Sequence, residues 1–458
     1  MKVYCKHTDF TLYEGSMLDM LDVIPLASID SIVTDPPYEL GFMGKSWDAS
    51  GIAFTPDTWR KCFEVLKPGG HLLAFGGSRT YHRIACAIED AGFEVRDCIM
   101  WLYGSGFPKS MNLGLAIDKR NGVDSAVVGR EHCGTNAMLG GLSGLMTSSG
   151  SYEIKQAQNE WAGWGTQLKP AYEPVIVARK PCEGSCIDNV LMHRVGGINI
   201  DECRIGEGTG EVKAVKYPDI RGDLDCNCHR EYQNAAPVEY TVIDQGRYPS
   251  NVILTYDKTD EREVCGGMPD TKSNGGAYTM PEMGGGTEGV CNFQTVGAKR
   301  LTSGATLPAD EGSASRYYYC AKASARDRDE GLDAFVKQEG GTYDFRQDGS
   351  LDGSGQSRRN THPTVKPVDL MQYLIRLVTP KGGTILDPFN GSGSTGKAAM
   401  FENRDRQANY KYIGIELTPE YLPIAEARIT WATEYHDTEK AEKPIEGQLS
   451  IFDIMGGQ

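Results

Sequence analysis

The sequence predicts an α/β fold built on a parallel sheet, and three observations predict it. Short apolar or β-branched runs (SIVT, HLLAFG, CIMWLY, EPVIVA) alternate with helix-patterned segments from the start of the chain to about Lys180. A second block of the same texture runs from Thr361 to about Glu434, with TILDPF and YIGIE as strands and PVDLMQYLIRLV as a helix. In each block one strand runs straight into a special turn, proline-rich in the first and glycine-rich in the second. At 458 residues the chain exceeds the usual size of one hydrophobic core, so a large α/β unit with a second domain or long insertions is expected.

The first informative strand is SIVT, ending in Asp35-Pro36-Pro37-Tyr38. Proline fixes φ and offers no N–H, so neither Pro36 nor Pro37 extends a ladder or enters a helix interior. The stretch reads as a stiff turn presenting one carboxylate, fixed backbone acceptors and one ring, a cluster suited to a flat, polar ligand carrying an amino group. TPDTWRKCFEVL and TYHRIACAIEDAGF follow as helices between strands, and GTNAMLGGLSGLMTSSGS, near residues 134 to 151, reads as a mobile loop. Between the two blocks the texture changes. GGAYTMPEMGGGTEG and GGTYDFRQDGSLDGSGQ have little periodicity. The expected organisation is 1–180 as the first half of the core, 181–317 as an inserted domain, 318–360 as a return strand and flexible strap, 361–434 as the second half, and 435–458 as an acidic tail.

Composition excludes some classes. The 13 cysteines form no even, tightly spaced framework, and no charged leader precedes an apolar core, which points to a reducing, cytoplasmic setting. No stretch approaches the ~18 uninterrupted apolar residues of a membrane span. A formal charge of -15 argues against a protein that coats nucleic acid, though not against a locally basic cleft.

TILDPFNGSGSTGKAAM is the second motif, a buried strand ending at Asp387 and turning through Gly391, Gly393 and Gly396 into a helix. Glycines at such a turn let the backbone approach a ligand, and Glu416, ending YIGIE, is placed to bond ribose hydroxyls. Behind it, TPEYLPIAEARI starts a helix with Thr418 as cap and Pro419 in the first turn. The glycines match a dinucleotide-binding pattern, and Gly391, Gly396 and Lys397 match a P-loop register. The P-loop reading fails at Ala398, where a hydroxyl for Mg²⁺ is needed. A dehydrogenase reading leaves DPPY unexplained.

DPPY early, HPTVKP at His362 to Pro367, then DPFNGSGSTG and YIGIE together resemble the amino-methylating DNA methyltransferases of the β arrangement, in which the catalytic motif precedes the cofactor motif. GWGTQLKPAYEPVIVARKP, GRYPSNVI and RYYYCAKAS further resemble a phage and prophage subgroup. The resemblance implies a Rossmann-like S-adenosylmethionine-dependent methyltransferase sheet with helices on both faces, plus an inserted irregular target-recognition domain. It implies double-stranded DNA as substrate, no required metal, a possible homodimer and base flipping. Asp35 and the Pro36 carbonyl would accept the two hydrogens of an exocyclic amino group, localising the nitrogen lone pair toward the sulfonium methyl; Tyr38 would stack on the base, with Pro37 stiffening the loop. Asp in the first motif position leans toward adenine N6, with cytosine N4 as the alternative and a non-catalytic DNA-binding regulator as a further one.

By the same resemblance, Asp387, Pro388, Phe389, Gly391, Ser392 and Gly393 would wall the cofactor, Glu416 would bond its ribose, and Thr364 and Lys366 would close over it. Ser16 stands where the family commonly carries an aspartate that helps hold the adenine end of the cofactor. Lys45 and Trp47, just after the catalytic loop, are candidates to touch the flipped base or its neighbour, with a core anchor as the alternative for Trp47. Arg300, Arg316, Lys322, Arg326 and Arg328 lie near aromatics, as phosphate and base contacts require, with charges on a solvated face over a buried Tyr strand as the alternative. Cys182, Cys186, Cys226, Cys228 and His229 are near zinc-ligand spacing, with free thiols as the alternative.

Overall fold

Ten strands form one sheet in a computed structural model of the chain, and their order explains how its two ends meet. The structure describes residues 2–40, 46–103, 110–132, 151–206, 211–213, 241–243, 246–256, 270–273, 276–277, 306–307, 310–313, 318–322, 325–337 and 359–434. In chain order the strands are β1 (Lys2–Lys6), β2 (Phe10–Glu14), β3 (Ile29–Thr34), β4 (Leu66–Phe75), β5 (Glu94–Leu102), β6 (Tyr172–Arg179), β7 (Val252–Tyr256), β8 (Tyr319–Lys322), β9 (Thr384–Asp387) and β10 (Lys411–Glu416). Across the sheet they run β1-β2-β10-β9-β3-β4-β6-β5-β7-β8. β1 and β6 are antiparallel to their neighbours, and every other pairing is parallel.

Both faces of the central strands are covered, so their side chains alternate between two cores as the pleat demands. Val33, Leu73, Phe75, Val175, Val177 and Ile385 face one core, whereas Ile32, Leu72, Ala74, Ile176, Ala178 and Leu386 face the other. Helices α5 (Val368–Val378), α6 (Ser394–Arg406) and α7 (Leu422–Glu434) cover the first face. α1 (Pro56–Val65) and α2 (Tyr81–Asp90) cover the second, with Trp59 and Ile84 fully buried. α3 (Leu113–Arg120) and α4 (Cys186–His193) complete the longer described helices. Among the described residues no helix is long and apolar enough to cross a membrane.

Past the boundary expected at residue 181, the described chain stays against the core. α4 packs on β4, and its buried Asn189 donates to the Pro68 and Val195 carbonyls at 3.0 and 2.9 Å. β7, well inside the segment expected to stand apart, pairs with β5 in the main sheet. A five-residue strand, buried at Ile253, Leu254 and Thr255, has too little period to reveal itself among glycine-rich stretches. Apart from Ser151, which opens the strand Ser151–Gln156, the residues expected as a mobile loop lie outside the described residues, as do most of the strap and the C-terminal tail.

Segment 325–337 returns along α6 and α7 and is held by charge. Lys397, fully buried, places Nζ 2.7 Å from Asp327 and 2.9 Å from Glu330. Asp327 also accepts from the Val368 amide at 2.8 Å, capping α5. Leu332 packs with Tyr421 and Ile424 beside it. Removing one partner of a buried ion pair leaves the other uncompensated. Lys397→Met should therefore lose roughly 3–5 kcal/mol of stability by chemical denaturation. A loss below about 1 kcal/mol would place the pair in the class of solvent-screened surface bridges.

Candidate active site

β3 and β9 are neighbours in the sheet, and the strands that follow β3 lead one way while β10 leads the other. Such a reversal opens a crevice at the carboxyl ends of the strands. Asp35, just after β3, and Asp387, ending β9, both sit at that rim, and Glu416 ends β10 beside them. Because β6 runs against β4, its amino end, with Glu173, reaches the same rim.

Four polar side chains meet there. Lys366 Nζ lies 2.7 Å from Asp35 Oδ2 and 3.3 Å from Glu173 Oε2. Tyr38 donates its hydroxyl to Glu173 Oε2 at 2.9 Å and accepts from Lys366 Nζ at 3.1 Å. The rings of Tyr38 and Phe75 flank that ammonium, with centroids 5.3 and 4.9 Å away. Burial opposes the charge on Lys366, but the Asp35 and Glu173 carboxylates outweigh it and hold its pKa above the ordinary lysine value. Burial, then those same carboxylates, push Tyr38 well above an ordinary phenol, so it is a neutral donor. The other oxygen of Asp35, Oδ1, is buried and has no partner among the described residues. An unpaired buried acceptor is costly, and a ligand N–H would satisfy it.

The turn carrying Asp35 is fixed from several sides. Thr80 Oγ1 donates to the Tyr38 carbonyl at 2.8 Å. Glu39 adopts φ +56°, a left-handed conformation uncommon outside glycine. Buried Asp48 accepts from the Glu39 and Leu40 amides at 3.0 and 3.2 Å, and Glu39 in turn accepts from the Gly51 amide at 2.8 Å.

On the other side of the crevice, Asp387 accepts from Thr34 Oγ1 and Thr395 Oγ1, each at 2.6 Å, and from the Phe389 amide at 3.1 Å. Burial raises its pKa to about 6 against those three donors. Glu416 accepts from the Gly391 amide at 2.7 Å and the Thr418 amide at 2.8 Å, and burial raises its pKa. Gly391 and Gly393 have φ of +52° and +77°, and a Cβ on Gly391 would lie 2.9 Å from His362 Nε2. His362 bonds the Thr364 carbonyl, sits edge-on to Tyr421 at 4.5 Å, and is lowered by burial to about 4, so its ring is neutral.

Several expected residues are placed differently. Lys366, expected at the cofactor, has its Nζ on Asp35. Ser392 is buried, and its carbonyl and Oγ both accept from Arg428, so it serves the shape of the loop. Phe389 packs partly into the core near Trp59, while Pro388 is buried and Thr364 exposed. Ser16 caps the short helix Met17–Met20. Thr418 makes no side-chain cap; a 3-10 turn, Pro419–Tyr421, precedes α7. The P-loop-like Lys397 is committed to Asp327 and Glu330, as the absence of a hydroxyl at position 398 foretells.

Lys45, Arg300, Arg316, Cys226, Cys228 and His229 lie outside the described residues, as do the side chains of Trp47, Lys322 and Arg326. Arg328 is described and bonds the Asn360 and His362 carbonyls, fastening the HPT turn. Cys182 and Cys186 are free, their sulfurs 3.8 Å apart, and the Arg179 guanidinium draws the Cys186 thiol below its ordinary range. Sequence reasoning missed Glu173 and Asp48. For Glu173 the signal was present, an acid before a proline opening a buried strand, but the direction of that strand was not.

The model of a DNA methylase family matches residues 29–184 and 314–427, more than half of the chain. Type II methyltransferase M2.MboI of Moraxella bovis is 38% identical over 100 residues, 22% of this chain and 34% of that protein. DNA adenine methyltransferase YhdJ of Escherichia coli K12 is 37% identical over 91 residues, 19% of this chain and 29% of that protein. The chain thus spans about a third of the length of the curated relatives it matches. Among solved structures, PvuII DNA methyltransferase (cytosine-N4-specific) aligns over 92% of this chain and 87% of its own, at 13% identity and a TM-score of 0.38. The M1.HpyAVI–SAM complex aligns over 92% and 98%, at 13% identity and 0.35. At those scores neither adds to the fold described above.

Asp387 makes a pH signature. With its folded pKa near 6 and an ordinary value near 4, the native state holds the extra proton between them, so its contribution to stability is full below about 4 and lost as pH rises through about 6. His71 and His362, both lowered to about 4 by burial, act in the opposite sense, adding stability as pH rises from about 4 toward 6.5. The difference in denaturation free energy between wild type and Asp387→Asn isolates the acid, and should change by roughly 2–3 kcal/mol across that window. A flat difference would mean that Asp387 ionises as it does in the unfolded chain.

Proposed function

Since the chain belongs to this DNA methylase family, we propose that it transfers a methyl group from S-adenosylmethionine to an exocyclic amino nitrogen of DNA, N6 of a flipped-out adenine. The observation that carries this reading is the buried Oδ1 of Asp35, which has no partner among the described residues, at the end of β3 and beside a rigid Pro-Pro turn. An aromatic amine is a poor nucleophile because its lone pair is delocalised into the ring. Asp35 Oδ1 and the Pro36 carbonyl accept the two amino hydrogens, draw the nitrogen toward tetrahedral geometry and localise that pair. Pro37, the bond donated by Thr80 to the Tyr38 carbonyl and the bond Asp48 accepts from the Glu39 amide keep both acceptors in place, so no reorganisation is needed at the moment of reaction. Tyr38 offers its ring as a wall for the base.

S-adenosylmethionine, when bound, supplies the electrophilic methyl on a sulfonium. The residues fit it. Gly391 and Gly393 leave the loop without side chains, and Glu416 retains lone pairs beyond its two backbone bonds for a ribose diol. Asp387, Pro388, Phe389 and Thr364 line or support the same end of the crevice, and Ser392 shapes the loop. The adenine assignment rests on aspartate in the first motif position, as the family pattern implies.

Nucleoside mass spectrometry of unmethylated genomic DNA incubated with the protein and S-adenosylmethionine should yield N6-methyladenine. N4-methylcytosine would keep the mechanism and change the base, and no modified base would overturn the reading. Asp35→Ala should abolish transfer, a fall of at least ~10²-fold, with the calorimetric Kd for S-adenosylmethionine retained. Glu416→Ala should weaken that Kd by about tenfold or more, the cost of a lost hydrogen bond to a charged group, and an unchanged value would remove the ribose assignment.

A further inference from the structure

Among the described residues, two carboxylates and one ammonium meet at the target end of the crevice. Lys366 is buried, 2.7 Å from Asp35 and 3.3 Å from Glu173, and the Tyr38 hydroxyl closes the cluster by donating to Glu173 at 2.9 Å. Tyr38 and His362 are neutral at the same rim; Asp387, whose carboxyl feels the Asp35 charge, is held apart from the cluster by bonds from Thr34, Thr395 and the Phe389 amide. Within the cluster, Asp35, Glu173 and Lys366 therefore leave one negative charge that no other described residue balances, in a partly buried setting where it favours the arrival of positive charge.

The proposed reaction brings such a charge. As the nitrogen lone pair forms the N–C bond, the C–S pair stays on sulfur, leaving a neutral thioether. The nitrogen is then cationic until one of its protons passes to Asp35 Oδ1. Lys366 occupies only Oδ2, so it turns Oδ1 toward that nitrogen.

Resting on the proposed methyl transfer, we propose that Glu173 and Lys366 are positioning residues that set the target pocket at one net negative charge, matched to the cation that forms on the substrate nitrogen. Neither needs to touch the base. Glu173 supplies the excess charge and tethers Lys366, and Lys366 orients Asp35 and prevents the excess from doubling.

The test compares wild type, Glu173→Gln, Lys366→Met and the double variant, in which Asp35 alone restores a net charge of minus one. Rates of transfer from tritiated S-adenosylmethionine to unmethylated genomic DNA give kcat and KM, and calorimetry gives the cofactor Kd. Each single change should lower kcat by roughly 10²-fold, with cofactor Kd unchanged. The double variant should be faster than either single variant, by about tenfold. A merely structural bridge would leave the double variant as slow as the worse single one or slower, and that result overturns the inference. If Lys366→Met does not fold by circular dichroism, Glu173→Asp against Glu173→Gln decides. Retained kcat in the first and loss in the second supports the charge requirement, and equal loss overturns it. A wild-type protein that transfers no methyl to DNA overturns the parent reading and this inference together, whereas an active wild type with a slow double variant overturns the inference alone.

Discussion

The pairing of β3 with β9 is the constraint on which the site depends. Ser31 and Ile32 lie opposite Ile385 and Leu386, although most of the chain separates them. Polar side chains stitch this seam at both ends. At its base, Asp30 accepts from the Thr384 amide at 2.7 Å and from Lys67 at 2.6 Å; at its top, Thr34 donates to Asp387 at 2.6 Å. Each bond is buried or nearly so, where an unmade partner would cost about 1–3 kcal/mol, so the register is strongly specified. Once it is set, the parallel direction of both strands delivers the proline turn and the glycine loop to one rim.

Two buried lysines give the molecule a second common device. Lys397 stands between Asp327 and Glu330, Lys366 between Asp35 and Glu173. The surroundings separate their roles. Around Lys397 the partners also cap α5 and meet Arg428, so charge is spent on fastening segment 325–337 and, through Arg328, the HPT turn. Around Lys366 one carboxylate oxygen is left open at the crevice. Fastening and chemistry are thus continuous, because the strand of contacts that holds residues 359–367 in place also aims Lys366 at Asp35.

The antiparallel β6 has a consequence out of proportion to its length. Were it parallel, Glu173 would lie at the opposite edge of the sheet and Arg179 at the rim. Its reversal puts an acid where Tyr38 and Lys366 need one, and it sends Arg179 to the far edge, where it pairs with Glu94 at 2.8 Å.

The sequence by itself determined the class of fold and the place of the two turns at strand ends, because proline, glycine and strand-end acids act through local backbone geometry. The position of Asp35, Tyr38, Asp387 and Glu416 at one rim is legible for that reason. Only the tertiary structure decided strand order and direction, and with them the partners of long side chains. Lys366 lies in a motif expected at the cofactor, yet its four-carbon stem reaches Asp35; Glu173 reads as the first residue of a strand until its neighbour is known to run the other way. β7 was hidden among glycine-rich stretches, since a short strand buried on both sides carries no alternation to read. Local rules fix what a turn presents, and long-range pairing fixes what it faces.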